Sequence, residues 1–303
     1  LGESLVKEFQ DEEDTLNREL FNRVIVGLIG IPIIAVVIYT GGWLLGALMA
    51  LTSGLGAYEY FQFREKGTKG LSVWGVMLSA ALPLIAVLYP TYHEFVQLAF
   101  ALVIFGTMVS LIMVMWCRWP EGSPIESAAV TMMGVLYIGG TLSFWIFLRA
   151  FPEEVMSSDR ALPGTILLIF PIWVTWIGDC FAYVLGSRWG KKKLAATVSP
   201  NKTVVGAVGG VTGSILGGLA YNHYLLSEMT GFTLSKETVF LVCVLIAIAG
   251  QLGDLSESVM KRQVEIKDSS NLIPGHGGVL DRMDGLFFTV PMTYFILLHL
   301  SYG

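Results

Sequence analysis

The chain has 303 residues, 54% of them hydrophobic and 14% charged, with a mean hydropathy of +0.65 and a net charge of −5. Soluble domains carry about 25% charged residues. The deficit excludes a disordered chain and an ordinary cytosolic enzyme, and the lack of a basic footprint excludes a nucleic-acid binder.

The first 23 residues are acidic (Glu3, Asp11, Glu12, Glu13, Asp14), the reverse of a signal peptide's basic start, and read as a cytosolic or interfacial segment. Beyond them, a bilayer-spanning helix needs about 20 apolar residues. Residues 24–58 carry no charge or His, too long a run for one helix, and break at Thr40-Gly41-Gly42, a turn signal. This predicts helices over 24–39 and 43–63. Further spans are predicted over 70–92, 95–117, 127–148, 161–178, 203–227, 238–253 and 285–298. The expectation is an all-α polytopic integral membrane protein of about nine transmembrane helices. It divides into the 1–23 segment, five helices over 24–160 and a C-terminal region of four helices with polar loops over 161–303.

Lys and Arg set orientation. With nine spans and the N-terminus inside, 16 of the 19 cations fall in inside segments, and only Arg149, Arg160 and Lys236 fall outside. The first five helices read as chemically quiet. Glu59, in Ala57-Tyr58-Glu59-Tyr60, reads as an acid snorkelling or paired at the interface, and His93 and Glu94 as a solvated turn. Cys117, Cys180 and Cys243 lie in or beside apolar runs without paired spacing, and read as small buried side chains.

The last four helices differ. Trp176, Asp179, Tyr183 and Gly186 fall at helical spacing, so they share a face. An Asp inside a span costs about 2.5–3.5 kcal/mol on insertion scales, so it needs a partner, a cation or water. The loop Arg188-Trp189-Gly190-Lys191-Lys192-Lys193 and the run Ser199-Pro200-Asn201-Lys202-Thr203 read either as attraction to anionic lipid or as a phosphate cradle of cations, hydroxyls and backbone N–H groups. Gly206, Gly210, Gly213 and Gly217 form a small-residue stripe for helix packing.

Asp254, Glu257, Ser258 and Lys261 follow at i, i+3, i+4 and i+7, a polar stripe that lipid would not tolerate. Lys267, Asp268 and His276, the last flanked by glycines, come next, and Asp281, Arg282 and Asp284 open the last helix. Asp254 and Asp281, on either side of a helical hairpin, can converge, and converging carboxylates suit a hard cation such as Mg²⁺ that shares its shell with phosphates. Lys261, Arg262, Lys267 and Arg282 surround the same place. The pattern points to phosphoryl or nucleotidyl transfer at the inner face of a membrane.

The run from Ser258 to Asp284 resembles the phosphatidate cytidylyltransferase (CDP-diacylglycerol synthase) signature at all 27 positions. It reads Ser258-Val259-Met260-Lys261-Arg262, Lys267-Asp268-Ser269-Ser270, then Ile273 through Asp284. Asp179, Tyr183, Gly186, Gly190-Lys191 and Ser199-Pro200-Asn201-Lys202-Thr203 resemble the same family, so the likeness is specific over about 173–284. The family usually has Glu-Gly where this chain has Val205-Gly206.

The resemblance implies transfer of the cytidylyl group of CTP to phosphatidate, giving CDP-diacylglycerol and pyrophosphate, with no enzyme nucleophile. It implies Mg²⁺ on Asp254 and Asp281, K⁺ as a second cation, a homodimer, and a bacterial inner membrane with the site toward the cytoplasm. Lys261, Arg262, Lys267 and Arg282 would offset charge on pyrophosphate. Ser199, Lys202 and Thr203 would bind a substrate phosphate. Asp179, Ser258, Asp268, His276 and Asp284 would orient ligands or metal-bound water. A CTP-dependent lipid kinase and an ion-coupled transporter are the alternatives.

Overall fold

The computed structural model describes residues 28–63, 69–117, 123–156, 161–230, 234–272 and 277–302. The acidic 1–23 segment and His276 lie outside the described residues.

Among the described residues, all nine expected spans are helical, with shifted ends. They begin with α1 (Leu28–Thr40), α2 (Gly42–Gln62), α3 (Lys69–Leu88) and α4 (Tyr92–Cys117). The fifth is α5 (Pro124–Gly134), continued through a π-helical turn (Val135–Gly140) into α6 (Thr141–Met156). Then come α7 (Ala161–Trp189) and α8 (Val204–Tyr221), the latter running through a second π turn (Asn222–Ser227) into the short α9 (Glu228–Thr230). The last are α10 (Lys236–Gln263) and the pair α11 (Leu280–Met283) and α12 (Leu286–Tyr302). Among the described residues, seven stretches are long and apolar enough to cross a membrane, and α1 is apolar but shorter. The chain is an all-α integral membrane protein.

The α1–α2 break falls at the glycines that predict it. Gly41 and Gly42 both have positive φ (63° and 51°), a region closed to most side chains. Arg149 holds the same corner. Its place in the sequence predicts an outside connection, but α6 continues past it and its side chain is only 6% exposed. The guanidinium donates to the carbonyls of Ile38 (2.9 Å) and Tyr39 (2.8 Å), capping the last turn of α1. Cys180 is exposed, against the expectation of three buried cysteines, whereas Cys243 is buried.

Two helices continue past their charge-free spans. Those spans end at 178 and 253, and the helical spacing of Asp179 to Gly186 and of Asp254 to Lys261 predicts helix beyond both ends. Both continue about three turns further, carrying polar residues beyond the apolar segment. Between α7 and α8 the chain forms a small antiparallel hairpin that the all-helical expectation does not contain: β1 (Lys193–Ala195) against β2 (Ser199–Thr203).

The glycine stripe packs α8 onto α7. A Cβ on Gly206 would lie 2.9 Å from the Ala182 carbonyl oxygen, and one on Gly217 would lie 2.9 Å from Ile177. Small residues allow this approach where lipid supplies no hydrophobic drive between helices. α8 starts where the Thr203 side chain accepts from the Gly206 N–H (3.1 Å), an N-cap. α10 starts in the same way, with Ser235 accepting from the Thr238 N–H (3.2 Å). Aromatic contacts tie the two halves together: Phe95 meets Phe147 at 4.8 Å, and Phe144 meets Phe295 at 5.0 Å, linking α4, α6 and α12.

Candidate active site

The polar residues of α7, β2, α10 and α11 collect at the end of the bundle that carries the β hairpin. Their positions follow from the helices that extend past the apolar core. α10 presents Asp254, Glu257, Ser258 and Lys261 at successive turns of one stripe. β2 then lays Lys202 against that stripe, and Lys202 Nζ forms an ion pair with Asp254 Oδ2. Ser258 Oγ donates to the other Asp254 oxygen at 3.4 Å. Asp254 remains 38% exposed, so the carboxylate still borders open space.

Two further acids share this charge environment. Asp179 of α7 feels both Asp254 and Lys202, and Asp284 feels Asp254 and Asp179. Three carboxylates from three segments therefore lie within mutual electrostatic range, with Lys202 among them. Asp179 and the nearby Trp176 and Tyr183 are exposed, so the cluster opens along the flank of α7. Gly186, further along the same helix, packs on Gly206 and Thr203.

A second cluster lies one turn further along α10. Lys261 Nζ is held between Asp281 Oδ1 (2.6 Å) and Glu257 Oε1 (3.0 Å), and Glu257 is fully buried. Asp281 Oδ2 accepts from the Ser269 N–H (2.8 Å), Ser269 Oγ (2.8 Å) and the Gly278 N–H (2.9 Å). Asp281 is thus enclosed by donors. Asp284 accepts from the Gly285 N–H at 2.6 Å.

The remaining predicted residues surround these clusters. Thr203 is buried as the α8 cap, and Ser199 is half-buried on β2. Arg262 is exposed and donates to the carbonyls of Val198 (3.2 Å) and Ile266 (2.8 Å), fastening the hairpin to the end of α10. Lys267 and Asp268 are exposed at the rim, and Arg282 stands there on α11. Two residues outside the predicted set prove central. Glu257 stands on the predicted polar stripe, where the sequence gives it no role of its own. Glu59, which the sequence presents as an acid snorkelling or paired at the interface, is 1% exposed and accepts from Ser270 Oγ and the Val279 and Leu280 N–H groups, with Ser269 Oγ at 3.0 Å as well. Its one sequence signal is a charge at the end of an apolar run.

The donor set suits a hard divalent cation. Asp254 presents a partly exposed carboxylate, with Asp284 and Asp179 in range and Asp281 on the same segment as Asp284. Among the described residues, no three His, Cys, Asp or Glu side chains form a complete metal cage.

Comparison with known proteins adds to this geometry. The model of the cytidylyltransferase family matches residues 21–300. A phosphatidate cytidylyltransferase of Synechocystis sp. is 33% identical over 297 residues, covering 91% of this chain and 95% of that protein. Those of Bacillus subtilis and Staphylococcus epidermidis are 35% and 36% identical over 165 and 171 residues. These shorter matches span 56% and 59% of the relatives' lengths, and 54% and 56% of this chain.

Proposed function

The chain belongs to the cytidylyltransferase family, and from that premise we propose that it transfers the cytidylyl group of CTP to phosphatidate within the membrane. A phosphate oxygen of phosphatidate attacks the α-phosphorus of CTP in line with the bond to the β-phosphate. The new P–O bond forms as the α–β bridge breaks, and pyrophosphate leaves with the bonding electron pair. The products are CDP-diacylglycerol and pyrophosphate. Both reactants are anionic, so the protein's contribution is positioning and charge stabilisation.

The observation that carries this reading is the meeting of the Ser199–Thr203 strand with α10 through Lys202 and Asp254, beside Asp179 and Asp284. A strand suited to phosphate and carboxylates suited to a hard cation meet at one end of the bundle. Lys202 and the Ser199 hydroxyl bind a substrate phosphate from the hairpin side. Thr203 fixes the start of α8 beside them. Asp254 is the principal proposed Mg²⁺ ligand. Asp281, whose Oδ1 pairs with Lys261, and Asp284 would be the further ligands from the start of the last helix. Bound Mg²⁺ supplies charge neutralisation on the nucleotide phosphates. Lys261, fixed by Glu257 and Asp281, with Arg262, Lys267 and Arg282 at the rim, contributes positive potential toward the leaving pyrophosphate. Asp179, Ser258 and Asp268 orient ligands, as does His276.

The open flank of α7 gives the acyl chains of phosphatidate a lateral path. The lysine and arginine distribution orients this end toward the cytoplasm of a bacterial inner membrane, with the N-terminus on the same side. K⁺ as a second cation and a homodimer complete the proposal. Purified protein given CTP, phosphatidate and Mg²⁺ should release pyrophosphate in step with CDP-diacylglycerol, and Asp254→Asn should abolish both while keeping the melting temperature. Wild-type turnover by that variant at low Mg²⁺ would overturn the metal assignment.

A further inference from the structure

We propose that Glu59, on α2 in the N-terminal half, is a positioning residue for the active site. It draws the two ends of the 269–280 segment into the shape that presents Asp281. The inference rests on the cytidylyltransferase reading and extends it to a residue with no role in the sequence motif.

A fully buried carboxylate is costly unless its oxygens are satisfied. Here the donors at hydrogen-bond distance come from one segment, more than two hundred positions away in sequence. The Leu280 N–H donates to Oε2 (2.9 Å), and Ser269 Oγ, whose one proton is shared with Asp281, lies 3.0 Å from the same oxygen. Ser270 Oγ (2.6 Å) and the Val279 N–H (2.9 Å) donate to Oε1. The donors lie at the two ends of the segment, so a single side chain brings those ends together.

The link to the site is direct. Ser269 Oγ lies within hydrogen-bond distance of both Glu59 Oε2 (3.0 Å) and Asp281 Oδ2 (2.8 Å). Asp281 in turn holds Lys261. Glu59, Ser269, Asp281 and Lys261 therefore form one continuous polar chain from α2 through the loop to α10.

The closure also explains Gly278. A Cβ there would collide with Ser269 Oγ and lie 2.6 Å from Glu59 Oε2. The backbone can pass over the carboxylate only without a side chain at this position. An amide cannot replace the acid. Gln in place of Glu59 accepts at one oxygen and turns its NH₂ toward groups that are themselves donors.

The test uses full-length wild type, Glu59→Gln and Ser270→Ala in nanodiscs containing phosphatidate. It combines hydrogen–deuterium exchange with steady-state kinetics at varied CTP. Glu59→Gln should raise exchange across 269–280 about tenfold or more, the scale of removing one buried hydrogen bond, while α8 and α12 keep their protection. The same variant should raise KM for CTP as well as lowering kcat. Ser270→Ala, which removes one bond, should move both readouts in the same direction by less, and it carries the test should Glu59→Gln not fold.

Unchanged exchange in the segment would overturn the proposal. So would exchange rising equally throughout the protein, or a loss confined to the active fraction with KM for CTP unmoved. If the wild type makes no CDP-diacylglycerol, the functional reading fails instead, and the exchange result still decides whether Glu59 holds the segment.

Discussion

Lys202 and Asp254 form an ion pair that joins the β hairpin to the polar stripe of α10. The two residues belong to segments with different chemistry. One is a Ser/Lys/Thr strand suited to phosphate, the other a membrane helix bearing acids. Their pairing makes the hairpin part of the site rather than a cytosolic decoration.

The pair should therefore behave as a unit. Lys202→Ala and Asp254→Ala should each lower kcat/KM for CTP by about a hundredfold or more, the scale on which one charge-stabilising group contributes to a transition state. The double variant should be far less than additive, with an interaction energy of about 1–3 kcal/mol. A double-mutant cycle in kcat/KM measures this, and strict additivity would show that the two act separately.

Asp281 and Asp284 should separate by their effect on stability. Asp281 carries Lys261 and three donors on one oxygen, so Asp281→Asn leaves a largely buried ammonium with a weakened partner and should lower the melting temperature together with activity. Asp284 accepts a single local bond, so Asp284→Asn should raise the Mg²⁺ concentration for half-maximal activity with little change in melting temperature. Thermal unfolding in detergent and Mg²⁺ titrations of turnover check both.

Arg149 should matter for folding alone. Its guanidinium caps α1 from a buried position. Arg149→Ala should destabilise by about 1.5–3 kcal/mol, the range for hydrogen bonds to a charged group. Lys should restore little, because an ammonium cannot reproduce the planar fork. Turnover per folded molecule should stay at the wild-type value, as measured by active-site titration after thermal challenge.

The α7–α8 interface predicts a packing effect. Gly206 approaches the Ala182 carbonyl oxygen so closely that a Cβ would sit 2.9 Å from it. Gly206→Val should cost about 1–3 kcal/mol through overpacking, and it should displace Thr203 and Lys202 with it. A lowered melting temperature with raised KM for CTP is the expected pair of results.

Much of this is legible in the sequence, and the failures have physical causes. The spans follow from charge-free runs of bilayer length, and the α1–α2 break from Thr40-Gly41-Gly42. The helical spacing of Asp179 to Gly186 and of Asp254 to Lys261 carries α7 and α10 past their charge-free spans, because hydropathy marks where lipid stops while backbone hydrogen bonding continues into polar surroundings. The hairpin escapes because Lys193–Ala195 and Ser199–Thr203 are too short for a period-two signal. Glu59 escapes for a deeper reason. A lone acid near a membrane interface looks the same whether it faces water or a loop far away in sequence, and tertiary packing decides between them. The reach of Lys202 to Asp254 is likewise a product of the fold, since no spacing rule connects the two segments.

The most direct test of the account follows the α-phosphate of CTP. Nanodiscs containing phosphatidate and the purified protein should, with Mg²⁺, transfer label from [α-³²P]CTP into the lipid fraction and leave label from [γ-³²P]CTP in soluble pyrophosphate. Label from the γ-position appearing in lipid, or no CTP-dependent labelling of lipid at all, would contradict it.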